Sequence, residues 1–317
     1  MSETGARTGI VLGGGVREAL MAQSVIRACD GATVFASGDA IGTLIGVPAV
    51  GRSVLFDDSP GQLWQLFKRL RTGGFTTAVV PFPARPAHTM LVYFAGIPRR
   101  LIFPHASQWA ATESTPGLDG LHPVEANWRL ALISNRRPMQ AMSEPPRLQP
   151  AEAVRKQALA RWSSFLGVAR PLILIPGGGG WSRARLGPCW PAERFAVVAN
   201  QSAAERIMLF NGAGDERIVR ETRAGIVKPT AVVNVADLTV EELAAISELS
   251  YAVLGHDGDA LHCAAAAGAL VLAIGRQPDI PPLGDRVVNC WVDDYDRYPA
   301  RQVLEALSAQ ARVDTYA

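Results

Sequence analysis

Two carboxylates and two imidazoles lie within seven residues of one another in an otherwise apolar stretch. Residues 254–275 read LGHDGDALHCAAAAGALVLAIG, and the polar members are His256, Asp257, Asp259 and His262. A strand ending at YAVLG, a turn at Gly258 and a short helix ending near Gly268 would place both carboxylates at the helix N-terminus. Such a helix start suits an anion such as a phosphate, although an ordinary helix cap beside a buried histidine has the same sequence pattern.

A second candidate is the glycine-rich stretch PGGGGWSRARLGPCWPAERF at 176–195. It contains Gly177, Gly178, Gly179 and Gly180, followed by Arg183 and Arg185. Glycines allow close backbone approach, and amides with nearby guanidiniums suit a diphosphate. The spacing is neither the G-x-G-x-x-G dinucleotide fingerprint nor a P-loop, and a tight turn is the structural alternative.

Two further loops offer carboxylates. In FNGAGDERIVRET (210–222), Asp215 and Glu216 either cap a helix or accept hydrogen bonds from ribose hydroxyls. In GGGVREALMAQ (13–23), Glu18 is either a favourable charge near a helix start or a general base.

Short apolar runs alternate with helical patterns along the whole chain, which predicts βαβ units and parallel sheets. The proline-rich, charged stretch 136–150 interrupts the pattern and is the best linker candidate. We therefore expect two α/β domains in tandem, 1–150 and 151–317. Ligands bind beyond the carboxyl ends of parallel strands, so the four loops above would line a cleft between the domains.

Composition limits the class of protein. The chain has 317 residues, 48% hydrophobic and 19% charged, with a formal charge of +2, so it is globular and offers no overall electrostatic attraction for nucleic acid. The N-terminus lacks a signal-peptide pattern and no apolar run reaches membrane-spanning length, which predicts a soluble, cytoplasmic protein. The four cysteines lie far apart and suggest neither a disulfide framework nor a zinc ribbon.

Taken in order, the loops resemble glycosyltransferase family 9, the ADP-heptose lipopolysaccharide heptosyltransferases and their relatives. The similar segments are PGGGGWSRARLGPCWPAERFA, MLFNGAGDE and DLTVEELAAISELSYAVLGHDGDALHCAAAAGALVLAIG, with a looser match at FTTAVVPFPARPAHTMLVYFAGIPRRLIFP and HPVEANWRLAL. The resemblance implies a GT-B fold of two Rossmann-like domains, with the donor held mainly by the C-terminal domain and the last helix packing back on the first.

By position, the resemblance implies roles for individual residues. Glu18 falls where the family typically has a catalytic Asp, and Glu216 where a carboxylate engages the donor nucleoside. The remaining donor-side residues are Gly177, Gly178, Gly179, Gly180, Asp257, Gly258, Asp259 and His262. The family's lysine before Trp-Pro is Pro188 here, so Arg183 or Arg185 would supply the positive charge.

The implied activity is inverting transfer of a heptose or related hexose from a nucleoside diphosphate sugar, ADP- or GDP-linked, without metal or other cofactor. The acceptor is a hydroxyl of lipopolysaccharide core, of another lipid-linked saccharide, or of a small natural-product scaffold. We expect no integral membrane association, while peripheral membrane contact stays open. A sugar-nucleotide epimerase or hydrolase and a catalytically silent nucleotide-binding homologue are the competing hypotheses.

Overall fold

The computed structural model describes residues 7–45, 47, 49–103, 108–113, 121–135, 144–166, 169–181, 187–276 and 280–316. For residues 108, 135 and 311–316 it describes the backbone only. The chain divides into two compact units, residues 1–146 and 147–317, which we call unit 1 and unit 2. Part of the expected linker, 136–143, lies outside the described residues.

Unit 1 contains a five-stranded parallel sheet in the order β3-β2-β1-β4-β5. The strands are β1 (Arg7–Val11), β2 (Ala32–Ala36), β3 (Val50–Leu55), β4 (Phe75–Val80) and β5 (Arg99–Ile102). The helices are α1 (Val16–Met21), α2 (Gln23–Ala28), α3 (Gly38–Ile41), α4 (Pro60–Thr72), α5 (Pro86–Phe94) and α6 (Pro123–Asn135). All five strands contain short apolar runs, as the alternating pattern predicts, and the helical stretch after Gly15 is divided at Ala22 into α1 and α2.

Unit 2 contains a six-stranded parallel sheet in the order β11-β10-β9-β6-β7-β8. Its strands are β6 (Leu172–Ile175), β7 (Ile207–Asn211), β8 (Thr230–Asn234), β9 (Ala252–His256), β10 (Val271–Gly275) and β11 (Val287–Trp291). Its helices are α7 (Glu152–Leu166), α8 (Ala192–Gln201), α9 (Glu216–Ala224), α10 (Val240–Glu248), α11 (Asp259–Ala266) and α12 (Ala300–Tyr316). The edge strand β11 was not expected, because VVNCW has no flanking helical pattern that would mark it.

Helices cover both faces of each sheet, and burial is most complete in the central strands of unit 2. Every residue of β6, β9 and β10 is buried, as expected for parallel strands covered on both faces. The last helix, α12, packs its apolar side against α8 and β10 through Val303 and Leu307. No helix among the described residues is long and apolar enough to span a membrane.

Candidate functional site

The glycine-rich loop after β6 lies against the loop that leads into α11. A Cβ added to Gly258 would lie 1.9 Å from the carbonyl oxygen of Gly178. One added to Gly212, which follows β7, would lie 2.5 Å from the backbone carbonyl of Gly179. Gly178 also has a φ of 72°, in the left-handed region that favours glycine. The glycines therefore let three strand-to-helix loops meet in backbone contact at one edge of the unit 2 sheet.

Asp215 anchors this loop from the turn before α9. Its Oδ2 accepts a hydrogen bond from the Gly179 amide at 2.8 Å, and the residue is only 4% exposed. The neighbouring Glu216, expected to engage the donor nucleoside, is the first residue of α9 and is exposed. Of these two adjacent residues, Asp215 is buried and Glu216 is exposed to solvent. The Gly179 amide already donates its hydrogen bond to Asp215.

Asp257 and His262 form a buried pair beside the start of α11. The Nε2 atom of His262 lies 2.9 Å from Oδ1 of Asp257 and 3.1 Å from the carbonyl oxygen of Ile280. Because both neighbours are acceptors, Nε2 carries the proton and donates it. Oδ2 of Asp257 accepts a hydrogen bond from the Ile280 amide at 3.2 Å. Asp257 and His262, five residues apart in the sequence, are therefore in direct contact.

Negative charge is concentrated where the glycine loop meets α11. A Cβ on Gly180 would lie 2.5 Å from Oδ2 of Asp259, so that carboxylate packs on the loop. Asp259 is the first residue of α11, where the helix dipole favours an anion. The expected positive partners, Arg183 and Arg185, lie outside the described residues.

His256 has a structural role that its position beside Asp257 did not reveal. It is fully buried at the end of β9, and its Nε2 accepts a hydrogen bond from the Trp190 amide at 2.8 Å. The ring packs against Phe195 and Tyr295 at centroid distances of 5.7 and 4.9 Å. His256 thus fixes the start of α8 to the end of the sheet.

In unit 1, Glu18 folds back on the N-terminus of its own helix. Its Oε2 accepts a hydrogen bond from the Gly15 amide at 2.9 Å, and its Oε1 accepts from Arg17 at 2.8 Å. Burial raises the pKa of Glu18, but the Arg17 charge and these hydrogen bonds outweigh burial and hold the pKa below its usual value. The carboxylate is therefore ionised at neutral pH, the form that a general base requires.

A second polar cluster at the same edge of the unit 1 sheet was not foreseen. The Nε2 atom of His88 donates to Oδ1 of Asp58 at 2.8 Å, and Arg85 pairs with the same carboxylate. The Nδ1 atom is buried without a hydrogen-bond partner among the described residues, 3.0 Å from where a Cβ on Gly13 would lie.

Burial lowers the pKa of His88 to about 4, and the Arg85 charge adds to the effect. The Asp58 carboxylate acts in the opposite direction, but it is half-exposed while His88 is 1% exposed, so burial dominates. His88 is therefore neutral at physiological pH.

Within the described ranges, no group of three or more His, Cys, Asp or Glu side chains is arranged to hold a metal ion.

Comparison with known proteins identifies the family. The model of glycosyltransferase family 9 (heptosyltransferase) matches residues 64–309, most of the chain. The chain belongs to glycosyltransferase family 9. No curated protein sequence matches it significantly.

Solved structures share the fold of this family 9 chain. E. coli ADP-heptose lps heptosyltransferase II is 20% identical with a TM-score of 0.76, covering 96% of this chain and 99% of that one. A family 9 glycosyl transferase from Veillonella parvula DSM 2008 is 14% identical with a TM-score of 0.80, covering 98% of both chains. E. coli heptosyltransferase WaaC with ADP is 14% identical with a TM-score of 0.68, covering 96% of this chain and 99% of that one. The expected GT-B class, with two Rossmann-like α/β units in tandem, is confirmed.

Proposed function

We propose that this family 9 chain is an inverting glycosyltransferase that moves a heptose or related hexose from a nucleoside diphosphate sugar to a hydroxyl acceptor. The observation that supports it best is the backbone contact between the glycine-rich loop and Gly258 at the start of α11. Glycine loops and helix N-termini present amides to phosphate groups, and here two such elements meet at one sheet edge. Because the E. coli WaaC structure was solved with ADP, ADP is the first donor nucleotide to test.

In this proposal, unit 2 binds the donor. The diphosphate lies at the loop formed by Gly177, Gly178 and Gly180 and at the N-terminus of α11, where the helix dipole stabilises the leaving group. The buried Asp257–His262 pair holds the start of α11, against which the diphosphate and the donor sugar lie. Arg183 or Arg185 supplies the positive charge that offsets Asp259.

Glu18 in unit 1 acts as the base. Its carboxylate takes the proton of the acceptor hydroxyl as that oxygen attacks the anomeric carbon, and the bond to the diphosphate breaks with its electron pair leaving on the diphosphate. The attack comes from the face opposite the leaving group, so the anomeric centre inverts. Oε2 accepts one hydrogen bond from Gly15, which leaves it a second lone pair for this proton.

The first experiment is a thermal-shift panel with ADP, GDP, UDP, dTDP and CDP, with and without Mg²⁺. A nucleotide at a hundred times its Kd stabilises the fold by about 2.7 kcal/mol, which corresponds to a Tm rise of about 5–10 °C. We expect one nucleotide to give this shift without metal. Asp257→Asn should abolish the shift, whereas the matched change at the exposed Asp237 should leave it intact.

Two results would overturn the proposal. If no nucleoside diphosphate shifts Tm, the chain lacks a donor site. If the sugar nucleotide is converted as fast without any acceptor as with one, the chain is an epimerase or hydrolase.

A further inference from the structure

Positive charge is concentrated in one segment of unit 1. Residues 59–112 contain six Lys and Arg residues and no Asp or Glu. The whole chain has 31 Lys and Arg against 29 Asp and Glu, so everything outside this segment is net negative. Two of the six pair with carboxylates just outside the segment, Arg85 with Asp58 and Arg99 with Glu113. The exposed positive charge of the segment therefore lies mainly in α4, at Lys68, Arg69 and Arg71.

Helix α4 carries three of these cations beside two aromatic rings. Trp64 is 56% exposed and stacks on Phe67 at a centroid distance of 5.2 Å. The Lys68 Nζ lies 5.2 Å from the Trp64 ring centroid, and the Arg71 guanidinium lies 5.9 Å from that of Phe67. Arg69 is also exposed. The outer side of α4 thus alternates aromatic rings with cations.

The end of α5 and the turn at 108–110 continue the same chemistry. Phe94 is 57% exposed and Trp109 is 61% exposed. The Tyr93 ring contacts Phe94 and Trp109 at 5.4 and 5.0 Å, and the Arg100 guanidinium lies 5.3 Å from its centroid. Large apolar side chains that stay this exposed in a cluster mark an interaction surface.

Both helices lie on one side of the unit 1 sheet. Leu66 and Leu70 of α4 and Val92 of α5 pack into a single apolar cluster with the sheet, so the opposite sides of the two helices face outward together. We call this outward surface the α4–α5 face and define it by Trp64, Phe67, Lys68, Arg71, Tyr93, Phe94, Arg100 and Trp109.

We infer that the α4–α5 face docks on a membrane surface that contains anionic phospholipid. Tryptophan and tyrosine favour the headgroup layer of a bilayer, and phenylalanine reaches the acyl boundary beneath it. Lys and Arg between the rings are attracted to anionic headgroups. A nucleic acid duplex, whose bases are already stacked on one another, would need the cations but would gain little from the exposed Phe94 side chain.

Vesicle sedimentation tests this docking without donor or acceptor, so its outcome is independent of the proposed glycosyl transfer. The full chain is mixed with phosphatidylcholine vesicles or with vesicles containing 30% phosphatidylglycerol. We expect the chain to sediment with the anionic vesicles and not with the neutral ones, and we expect 0.5 M NaCl to release it.

Two double variants separate the charge and apolar contributions. Lys68→Gln/Arg71→Gln should lower the partition coefficient by about 25-fold, or about fivefold for each cation. Trp64→Ala/Phe94→Ala should lower it on the order of tenfold. The matched control Lys156→Gln/Arg217→Gln removes two exposed cations from unit 2 and should change nothing. A Tm within about 2 °C of the native chain shows that each variant is folded.

Three results would overturn the inference. One is no sedimentation with the anionic vesicles. The second is an equal loss in the unit 2 control, which would show that binding has no particular face. The third is tight binding to heparin or duplex DNA that is unchanged in Trp64→Ala/Phe94→Ala, because the face would then recognise polyanions and not a lipid surface.

Discussion

Replacing Gly258 by alanine should separate the glycine-rich loop from α11. The added Cβ would lie 1.9 Å from the Gly178 carbonyl oxygen, whereas carbon and oxygen atoms in contact lie at about 3.3 Å. Gly258 has a φ of 178°, an extended conformation that alanine adopts freely, so the whole effect comes from this contact. Because the obstacle is backbone, no side-chain rotation can relieve it.

The magnitude follows from the displacement. The loop must move by about 1.4 Å to restore an ordinary contact. Forcing extra atoms into a packed site typically costs about 1–3 kcal/mol, which for a unit of this size lowers Tm by about 2–4 °C per kcal/mol. A misplacement of about 1 Å in a reacting site can lower turnover by about a hundredfold. We expect Gly258→Ala to unfold a few degrees earlier and to lose most of its nucleotide-induced thermal shift.

The assay is thermal unfolding with and without saturating ADP, followed by calorimetric titration of the nucleotide. Gly61→Ala is the matched control, because a Cβ at Gly61 in α4 meets no atom within 4 Å. That variant should be as stable as the native chain, or up to about 1 kcal/mol more stable. If Gly258→Ala kept both the native Tm and the native ADP affinity, the contact between loop and helix would not be the donor site.

Four further predictions concern single side chains. Glu18→Gln should lower turnover by about 10²–10⁴-fold with little change in donor binding. Because Arg17 lowers the pKa of Glu18, Arg17→Gln should move the acid limb of the pH–rate profile to higher pH. As the pH falls from 6.5 to 4, the free energy of unfolding of the native chain should decrease by up to about 3 kcal/mol relative to that of His88→Phe. The reason is that the imidazole in the unfolded chain becomes protonated at a higher pH than the buried imidazole in the folded chain. Thr239→Ala should lower the free energy of unfolding by about 1 kcal/mol, because the Thr239 hydroxyl accepts a hydrogen bond from the Glu242 amide at the start of α10.

Each of these has a clear contrary result. Native turnover in Glu18→Gln would remove that carboxylate from the mechanism, and an unmoved acid limb in Arg17→Gln would separate the two side chains. Parallel pH–stability curves for the native chain and His88→Phe would show that the buried imidazole is not held neutral. An unchanged Tm in Thr239→Ala would mean that another group caps α10.

Local patterns in the sequence were enough to place most of the secondary structure. The apolar runs of β1 to β10 are short and are bounded by glycine or polar residues, so period and length together predict them. The sequence also indicated the glycine-rich loop and the proximity of Asp257 and His262. Both of these residues lie at the start of the same helix, so they are close together whatever the packing of that helix. The family resemblance rests on these same local segments.

The tertiary structure decided which polar group faces which partner. The sequence alone does not distinguish the roles of the neighbouring Asp215 and Glu216. In the structure, Asp215 anchors the glycine-rich loop and Glu216 is exposed. The contact between His88 and Asp58 joins residues 30 apart, His88 in α5 and Asp58 in the loop after β3.

The α4–α5 face likewise comes from the packing of two helices on one side of a sheet. The sequence determines the elements because backbone periodicity is local. Strand order and helix packing determine the side-chain partners, because only they bring distant residues within hydrogen-bonding distance.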